Sequence, residues 1–392
     1  MAIVQVSRIT HRKGLAENLP QLAGAELGWA VDARKLYIGN GTLEDGAPVI
    51  GNTEILTEFT DIAELTNAYT YKGAAAGYTV QTGPDAGSPI TRSFQEKFDD
   101  FVNIRDFGAT GDGSTDDTAA INRALFQIYC VSTDARSRRT IYFPAGVYVV
   151  SDTIRIPSYA KLVGDGADST IIRLTATGVD YVARTADNLQ QVGAALGTNG
   201  ADTPRDIEIS GINFETTVAT DIFLVQETDK LCCENVNFRG PYTNSDILSG
   251  STPIISGVQF ESTPAAVTKQ VSFESCVFSR VKIGIKTDQQ VESATVSDSQ
   301  FVNLSKGVEL GTGVPVNGGP TGFRIIHNLF DDIAAQGIDI GEINYNLSGH
   351  NLFLGVGNNL ASSPVTPVVS IGGDKNLSIG DLFERSDADD LI

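Results

Sequence analysis

Cysteine, histidine, methionine and tryptophan are scarce in this 392-residue chain, which holds four, three, one and one of them. The cysteines (Cys130, Cys232, Cys233 and Cys276) form no Cys-x-x-Cys pair, and His11, His327 and His350 complete no zinc constellation with them. No metal and no other cofactor is therefore expected. The thiols read as reduced and mostly buried, as in a protein made in a cytosol. No apolar run approaches the roughly 18 residues of a membrane span. The segment from Met1 to Gly14 lacks the apolar core of a cleaved signal peptide, so none is expected. Basic residues are also in deficit: 28 Lys plus Arg against 48 Asp plus Glu leave a net charge of −20. Such a field repels phosphate backbones and anionic lipid, so neither nucleic acid nor a membrane is an expected partner.

What is plentiful is glycine, with 40 residues beside 14 prolines, and the chain reads as rich in turns and strands. Residues 1–52 suggest short strands. Leu27 to Val31 and Leu36 to Ile38 flank Asp32 to Lys35 as a hairpin would. Over 53–68 the spacing turns helical, with Ile55, Phe59 and Ile62 on one stripe. A Gly-, Pro- and Ala-rich linker follows over 72–90, and Phe94, Phe98 and Phe101 mark a second short helix. A third is expected from Asp117-Thr118, with Ile121, Ala124, Leu125 and Ile128 on one face. Beyond residue 150 no helix is expected.

The second half carries a repeat. Ile207 to Phe214 and Pro253 to Phe260 share an octet with apolar or small residues at positions 1, 3, 6 and 8 and a polar or glycine pair between positions 3 and 6. Further copies end at Phe238, Phe278, Phe301, Phe330, Leu352 and Leu382, so the anchors lie 18 to 30 residues apart. Several continue with Gly-[Val/Ile]-x-[Leu/Ile], as in Gly307 to Leu310 and Gly337 to Ile340. Strand periodicity turns positions 1, 3, 6 and 8 inward around a corner, and a period in the twenties fits coils stacked into a solenoid. Cys233 and Cys276 fall at inward positions and Cys232 points outward. A leucine-rich repeat needs Asn at position 6, which only Asn328 supplies. A sandwich would show no fixed period.

Residues 101–174 bring in a resemblance. Phe107 to Ile121, Tyr142 to Tyr148 and Leu162 to Gly166 resemble the opening segment of the pectate-lyase-like family, which includes polygalacturonases and many bacteriophage tailspikes. Phe98 to Asp106 is similar to the neck before that segment in phage tail proteins. Separately, Arg12-Lys13-Gly14, Pro20 to Leu22, Glu26 to Gly28 and Asp32 through Leu36-Tyr37-Ile38-Gly39 to Gly41 resemble an N-terminal module of phage tail fibres. The resemblance implies an all-β chain: a right-handed parallel β-helix over 101–392, a small β-rich attachment module over 1–52 and a helical neck over 53–100. It implies a homotrimer made in the host cytoplasm and mounted on a virion. Arg12, Lys13, Gly14, Leu36, Tyr37, Ile38 and Gly39 would then belong to the module that meets tail or baseplate proteins, and host surface polysaccharide would be a further partner.

Polysaccharide cleavage by glycosidases needs two carboxylates, about 5–5.5 Å apart for retention or about 6.5–9.5 Å for inversion. Glu309 and Asp339 occupy the same outward position of consecutive coils. Stacking at about 4.8 Å makes them the candidate catalytic pair, with burial and repulsion expected to raise one pKa. Lys286 holds that place one coil earlier. The alternative is a solvated acidic face. Asp331-Asp332 diverge to opposite faces of one strand. The paired-Asp, Gly-His-Gly and Arg-Ile-Lys signatures of polygalacturonases are absent, so hydrolysis is left open. The Gly/Asp-rich run 108–118 fails as a P-loop, because Ser114 follows Gly113 where lysine is needed. It fails as an EF-hand, because Asp117 and Arg123 stand where Gly and Glu are needed. It reads as tight turns. His327 and His350 read as surface residues at coil corners, and Tyr181, Tyr242 and Tyr345 offer rings to a glycan. With Leu382 as last anchor, little room is expected for a C-terminal trimerisation domain. A structural fibre, or an adaptor docking another fibre protein, is thus favoured over a free-standing depolymerase.

Overall fold

A computed structural model describes residues 12–45, 50–57, 69, 74–75, 78–132, 134–186, 203–263, 266–313, 315, 318–357, 368–373 and 375–383. Its contacts divide into two compact units, Met1–Asp100 and Phe101–Ile392. In the first, Arg12–Gly14, Leu27–Ala30, Lys35–Gly39 and Asn52–Ile55 form one four-stranded sheet in that order. The expected hairpin is present, Leu27 pairing with Ile38 and Ala30 with Lys35. The helical spacing expected from residue 53 gives way to a strand, with Ile55 opposite Leu36 and Asn52 opposite Gly39. Asn52 is the reason: its Oδ1 accepts from Leu22 N at 2.8 Å and its Nδ2 donates to Pro20 O at 2.9 Å, tying that strand into the sheet. Phe59 and Ile62 lie outside the described residues. Helix α1, Phe94–Phe98, carries a Ser93/Glu96 capping box, and Phe94, Phe98 and Phe101 are exposed.

In the second unit helix α2, Thr118–Tyr129, buries Ile121, Ala124 and Leu125, with Ile128 partly buried on the same core. The turns before it consume the acids of the Gly/Asp run. Asp112 accepts from Ser114 N and Thr115 N, Asp117 from Thr110 N and Gly111 N, and Asp116 from Thr118 N and Ser151 Oγ.

From there the chain winds as a parallel β-helix with three sheets. Sheet 1 has ten strands, from Asp112–Asp116 to Leu382–Phe383. Sheet 2 has eight, from Ile154–Pro157 to Val369–Ile371. Sheet 3 has ten, from Val102–Asn103 to Leu377–Ile379. A coil runs through sheet 3, then sheet 1, then sheet 2. Position 1 and 3 residues of the octet line sheet 3 and position 8 lines sheet 1, so Ile207, Ile209, Ile212 and Phe214 are all buried. Phe214, Phe238, Phe278, Phe301, Phe330, Phe353 and Phe383 stand in register. From Phe278 to Phe353 successive rings stack with centroids 4.6–4.7 Å apart. The Gly-[Val/Ile]-x-[Leu/Ile] motif is the other half of this packing. A Cβ on Gly307 would sit 2.5 Å from the Phe330 ring and 2.4 Å from Gly337 O, so only glycine lets sheet 2 close on the aromatic column.

Three of the eight expected anchors are displaced. Phe260 belongs to the strand Ser256–Glu261 of sheet 2 and pairs with Val225, so the whole stretch from Phe238 to Phe278 is one coil. Leu352 and Leu382 are exposed, and their neighbours Phe353 and Phe383 continue the column. The slip has a physical cause. In the last two coils the inward positions before the ring are Asn346, Ser348, Asn351 and then Asn376, Ser378, Asp381, while Leu347, Leu377 and Ile379 face out beside Leu352 and Leu382. Inside, a hydrogen-bonded ladder replaces apolar contact. Ser299 N donates to Asn328 Oδ1, Asn328 N to Asn351 Oδ1 and Asn351 N to Asp381 Oδ1, each at 2.9 Å.

The corner between sheets 3 and 1 repeats one conformation, with φ of 65° at Gly211, 52° at Asn235, 53° at Ser275, 52° at Asp298, 58° at His327, 54° at His350 and 69° at Gly380. The expectation of no helix beyond 150 is corrected by α3, Asn244–Leu248, which has a Thr243/Asp246 capping box. Buried Lys282 closes its far end, its Nζ donating to Asp246 O, Ile247 O and Ser249 O at 2.6, 2.7 and 2.7 Å. Cys233 and Cys276 are buried in the core, and burial pushes the Cys276 thiol up to about 12, so it is an unreactive packing residue.

Candidate functional site

The outer face of sheet 2 gathers the ionisable groups worth considering. Strand Lys306–Leu310 pairs with Ile283–Thr287 and Ile338–Ile340, which places Glu309 beside Lys286 on one side and Asp339 on the other. Sequence reasoning missed what lies between the two acids. Lys306 Nζ is 2.8 Å from Glu309 Oε2 and 2.6 Å from Asp339 Oδ2. Strict alternation would put Lys306 on the opposite face from Glu309. Because Gly307 and Val308 both turn inward, the two share the outer face.

The electrostatics follow. Burial alone would raise the pKa of Glu309, but the Lys306 ammonium and the Thr312 hydroxyl, which donates to Oε1 at 2.8 Å, outweigh it and hold the carboxyl below its ordinary range. Mutual repulsion of the pair does not operate as expected, because the ammonium sits between its members. Both Glu309 oxygens are engaged, which makes it a poor proton donor. A carboxyl held low in the folded state contributes stability at neutral pH, and this is lost as pH falls through its folded value. Lys306→Met is expected to cost about 1–3 kcal/mol at pH 7 and to reverse that trend, because the unpartnered Glu309 then prefers to be protonated. Urea melts at pH 7 and pH 5 check this: wild type loses stability on acidification and the variant gains it.

Asp221 opens another strand of the same face and is the acid that no motif marked. It is half-buried, accepts from Ser256 N at 2.5 Å and stands in register with Tyr181. Burial pushes its carboxyl up to about 6, against the opposing pull of Ser256, Gln259 and Lys286. The Tyr181 phenol is pushed up to about 12 by burial and by the charges of Glu261 and Asp221. The only sequence signal was an acid at the head of an otherwise apolar strand, Asp221–Gln226. A carboxyl near 6 can donate a proton and Glu309 can accept one. However, three inter-strand steps and three residues along the strand separate them, roughly 17 Å, beyond the separation either glycosidase geometry uses.

The remaining candidates are placed as follows. Arg12, Lys13 and Gly14 pair in parallel with Gly28, Trp29 and Ala30, while Leu36 to Gly39 pair on the other side of that hairpin, so both motifs lie in one sheet. Arg12 Nε is 2.6 Å from Glu26 Oε1. Tyr242 is buried and donates to Pro253 O at 2.8 Å, which removes it as a stacking platform. Tyr345 is exposed with Lys375 Nζ 4.7 Å from its ring centre. His327 and His350 are exposed corner residues with ring centres 5.4 Å apart. Among the described residues no three His, Cys, Asp or Glu side chains converge as a metal site, and no helix is long and apolar enough to cross a membrane.

Comparison with known proteins adds the family context. The model of the family described as rhamnogalacturonase A/epimerase, pectate lyase-like, matches residues 101–312. A probable glucan endo-1,3-beta-glucosidase of Arthroderma benhamiae is 44% identical over 77 residues, 19% of this chain and 9% of that protein. A mannuronan C5-epimerase of Azotobacter vinelandii is 42% identical over 79 residues, 18% of this chain and 7% of that protein. The chain thus spans less than a tenth of either relative's length. Among solved structures, tailspike protein 3 of bacteriophage CBA120 aligns with a TM-score of 0.48 and 16% identity, covering 90% of this chain and 57% of that one.

Proposed function

The chain belongs to the rhamnogalacturonase A/epimerase, pectate lyase-like family, and from that premise we propose that it is a structural component of a bacteriophage tail fibre or tailspike. In this reading it is a homotrimer in the virion, fixed to tail or baseplate proteins through residues 1–52 and carrying its β-helix outward to the host surface glycan. The observation that carries the proposal is the pairing of two separate compact units. One is a small sheet that unites Arg12–Gly14 with Leu36–Gly39 and the other a β-helix. A chain of that plan can assign attachment to one unit and presentation to the other. Antibody raised against the purified chain is expected to label the tail in electron micrographs of virions encoding it. Labelling confined to infected-cell lysate would overturn the assignment.

A second reading, an active depolymerase, draws on Asp221, an acid set to exchange a proton near pH 6 on the same face as Glu309 and Asp339. Incubation with host envelope polysaccharide and an assay for new reducing or unsaturated ends decides it. Release abolished by Asp221→Asn would place the reaction at Asp221. Release abolished by Glu309→Gln or Asp339→Asn would place it at the paired acids. No release from the true host's glycan retires the enzyme.

A further inference from the structure

The outside of the β-helix changes character along its length. In the early coils the outward columns of sheets 3 and 1 are charged and internally paired, as in Lys161 with Glu208 and Arg173 with Glu215. In the last coils the same columns are aliphatic. Leu377, Ile379, Leu352 and Leu382 are 52%, 48%, 38% and 65% exposed, and they flank the corner that carries the neighbouring His327 and His350. A contiguous apolar band of this kind, on the order of a few hundred Å², marks a contact surface when it rises from a polar background.

Two charges interrupt the band. Arg324 lies in sheet 3, Asp331 in sheet 1, on successive strands of one coil, and among the described residues neither side chain has a hydrogen-bonding or ionic partner. They stand at the same height on opposite sides of the corner. Each copy of the chain therefore presents a cation on one flank and the matching anion on the other, which is the requirement for a head-to-tail contact that closes by rotation. A chain of net charge −20 repels its own copies over most of its surface, and this band, whose cation and anion balance, offers them a neutral approach.

We propose that copies of this chain pack side by side here around an axis parallel to the β-helix, sheet 3 of one copy against sheet 1 of the next, with Arg324 of one meeting Asp331 of its neighbour. The inference rests on the homotrimer reading and names its interface.

The test uses the full chain carrying Arg324→Cys with Asp331→Cys, mildly oxidised with oxidised glutathione. A covalent ladder ending at three chains is expected on denaturing gels. A control with Glu208→Cys and Glu215→Cys, and the unaltered chain with its native cysteines, should give none. In parallel, Arg324→Asp sets like charges opposite one another and is expected to weaken assembly about tenfold or more in light scattering, and adding Asp331→Arg restores it. A trimer that neither cross-links nor responds to charge reversal overturns this interface and leaves the homotrimer standing. A ladder that stops at two chains overturns the closed ring. A chain that stays monomeric at every concentration overturns the homotrimer and the interface together.

Discussion

Phe301→Ala is expected to lower the unfolding free energy of the β-helix unit by about 3–5 kcal/mol, read as a shifted urea midpoint by circular dichroism. The ring is fully buried between Phe278 and Phe330, at 4.6 Å and nearly parallel on both sides. Removing it leaves a cavity that neither neighbour can fill, since each is itself held by its own coil and by the glycine column of sheet 2. Lost area and lost dispersion contact therefore add. The same experiment discriminates between the two possible registers of the last coils. Phe353→Ala should cost about as much as Phe301→Ala, while Leu352→Ala, one residue away on the outside, should stay within about 0.5 kcal/mol in the monomer. Equal costs at 352 and 353 would contradict the column.

The second large effect is expected at Asn351. Its Oδ1 accepts from Asn328 N and Nδ2 at 2.9 and 3.0 Å, and its Nδ2 donates to Ile325 O at 2.8 Å and Asp381 Oδ1 at 3.0 Å, with no exposure to water. Leucine would keep the volume and remove every one of these bonds. The amide of Asn328 would be left buried without a partner, at about 1–3 kcal/mol, while the carbonyl of Ile325 would keep only its place in the strand ladder, so with the lost bonds Asn351→Leu is expected to cost about 2–4 kcal/mol. Thermal melts measure the loss, and hydrogen exchange should quicken first at the Asn328 amide. Ser378→Ala, at the exposed end of the same interior row, should cost about 1 kcal/mol or less. A stable Asn351→Leu variant would show that the ladder adds nothing beyond packing.

These two residues also explain how far the sequence could be read. The solenoid was legible wherever inward side chains were apolar and outward ones polar, from Ile207 to Phe330, because that contrast is the period-two signal itself. It misled wherever the contrast reversed. At Leu352 and Leu382 the aliphatics are outside and the amides inside, so an apolar residue one step early looked like the anchor. Phe260 misled differently, because the strand that ends there shares Ser-Gly-x-x-Phe with a true corner but belongs to sheet 2. In the candidate site the register of Glu309 and Asp339 could be read from the repeat. Lys306 could not, since its place depends on two successive inward residues, a break in alternation that spacing does not disclose. The raised carboxyl of Asp221 depends on burial among neighbouring strands that are distant in sequence, and it leaves almost no local trace.

The repeated left-handed corner has a consequence for how the shaft can grow or shrink. Because every turn from Gly211 onward starts from an equivalent residue, the length of that part is quantised. Excising residues 298–326 would splice Ser297 to His327, present Asn328 to the amide of Cys276 in place of Ser299, and seat Phe330 on Phe278. The product would be one rung shorter, by about 4.8 Å, with both cut ends already shaped to meet. Duplicating the same block would lengthen it by the same step, so reach toward a distant target is adjustable without redesign of either terminus.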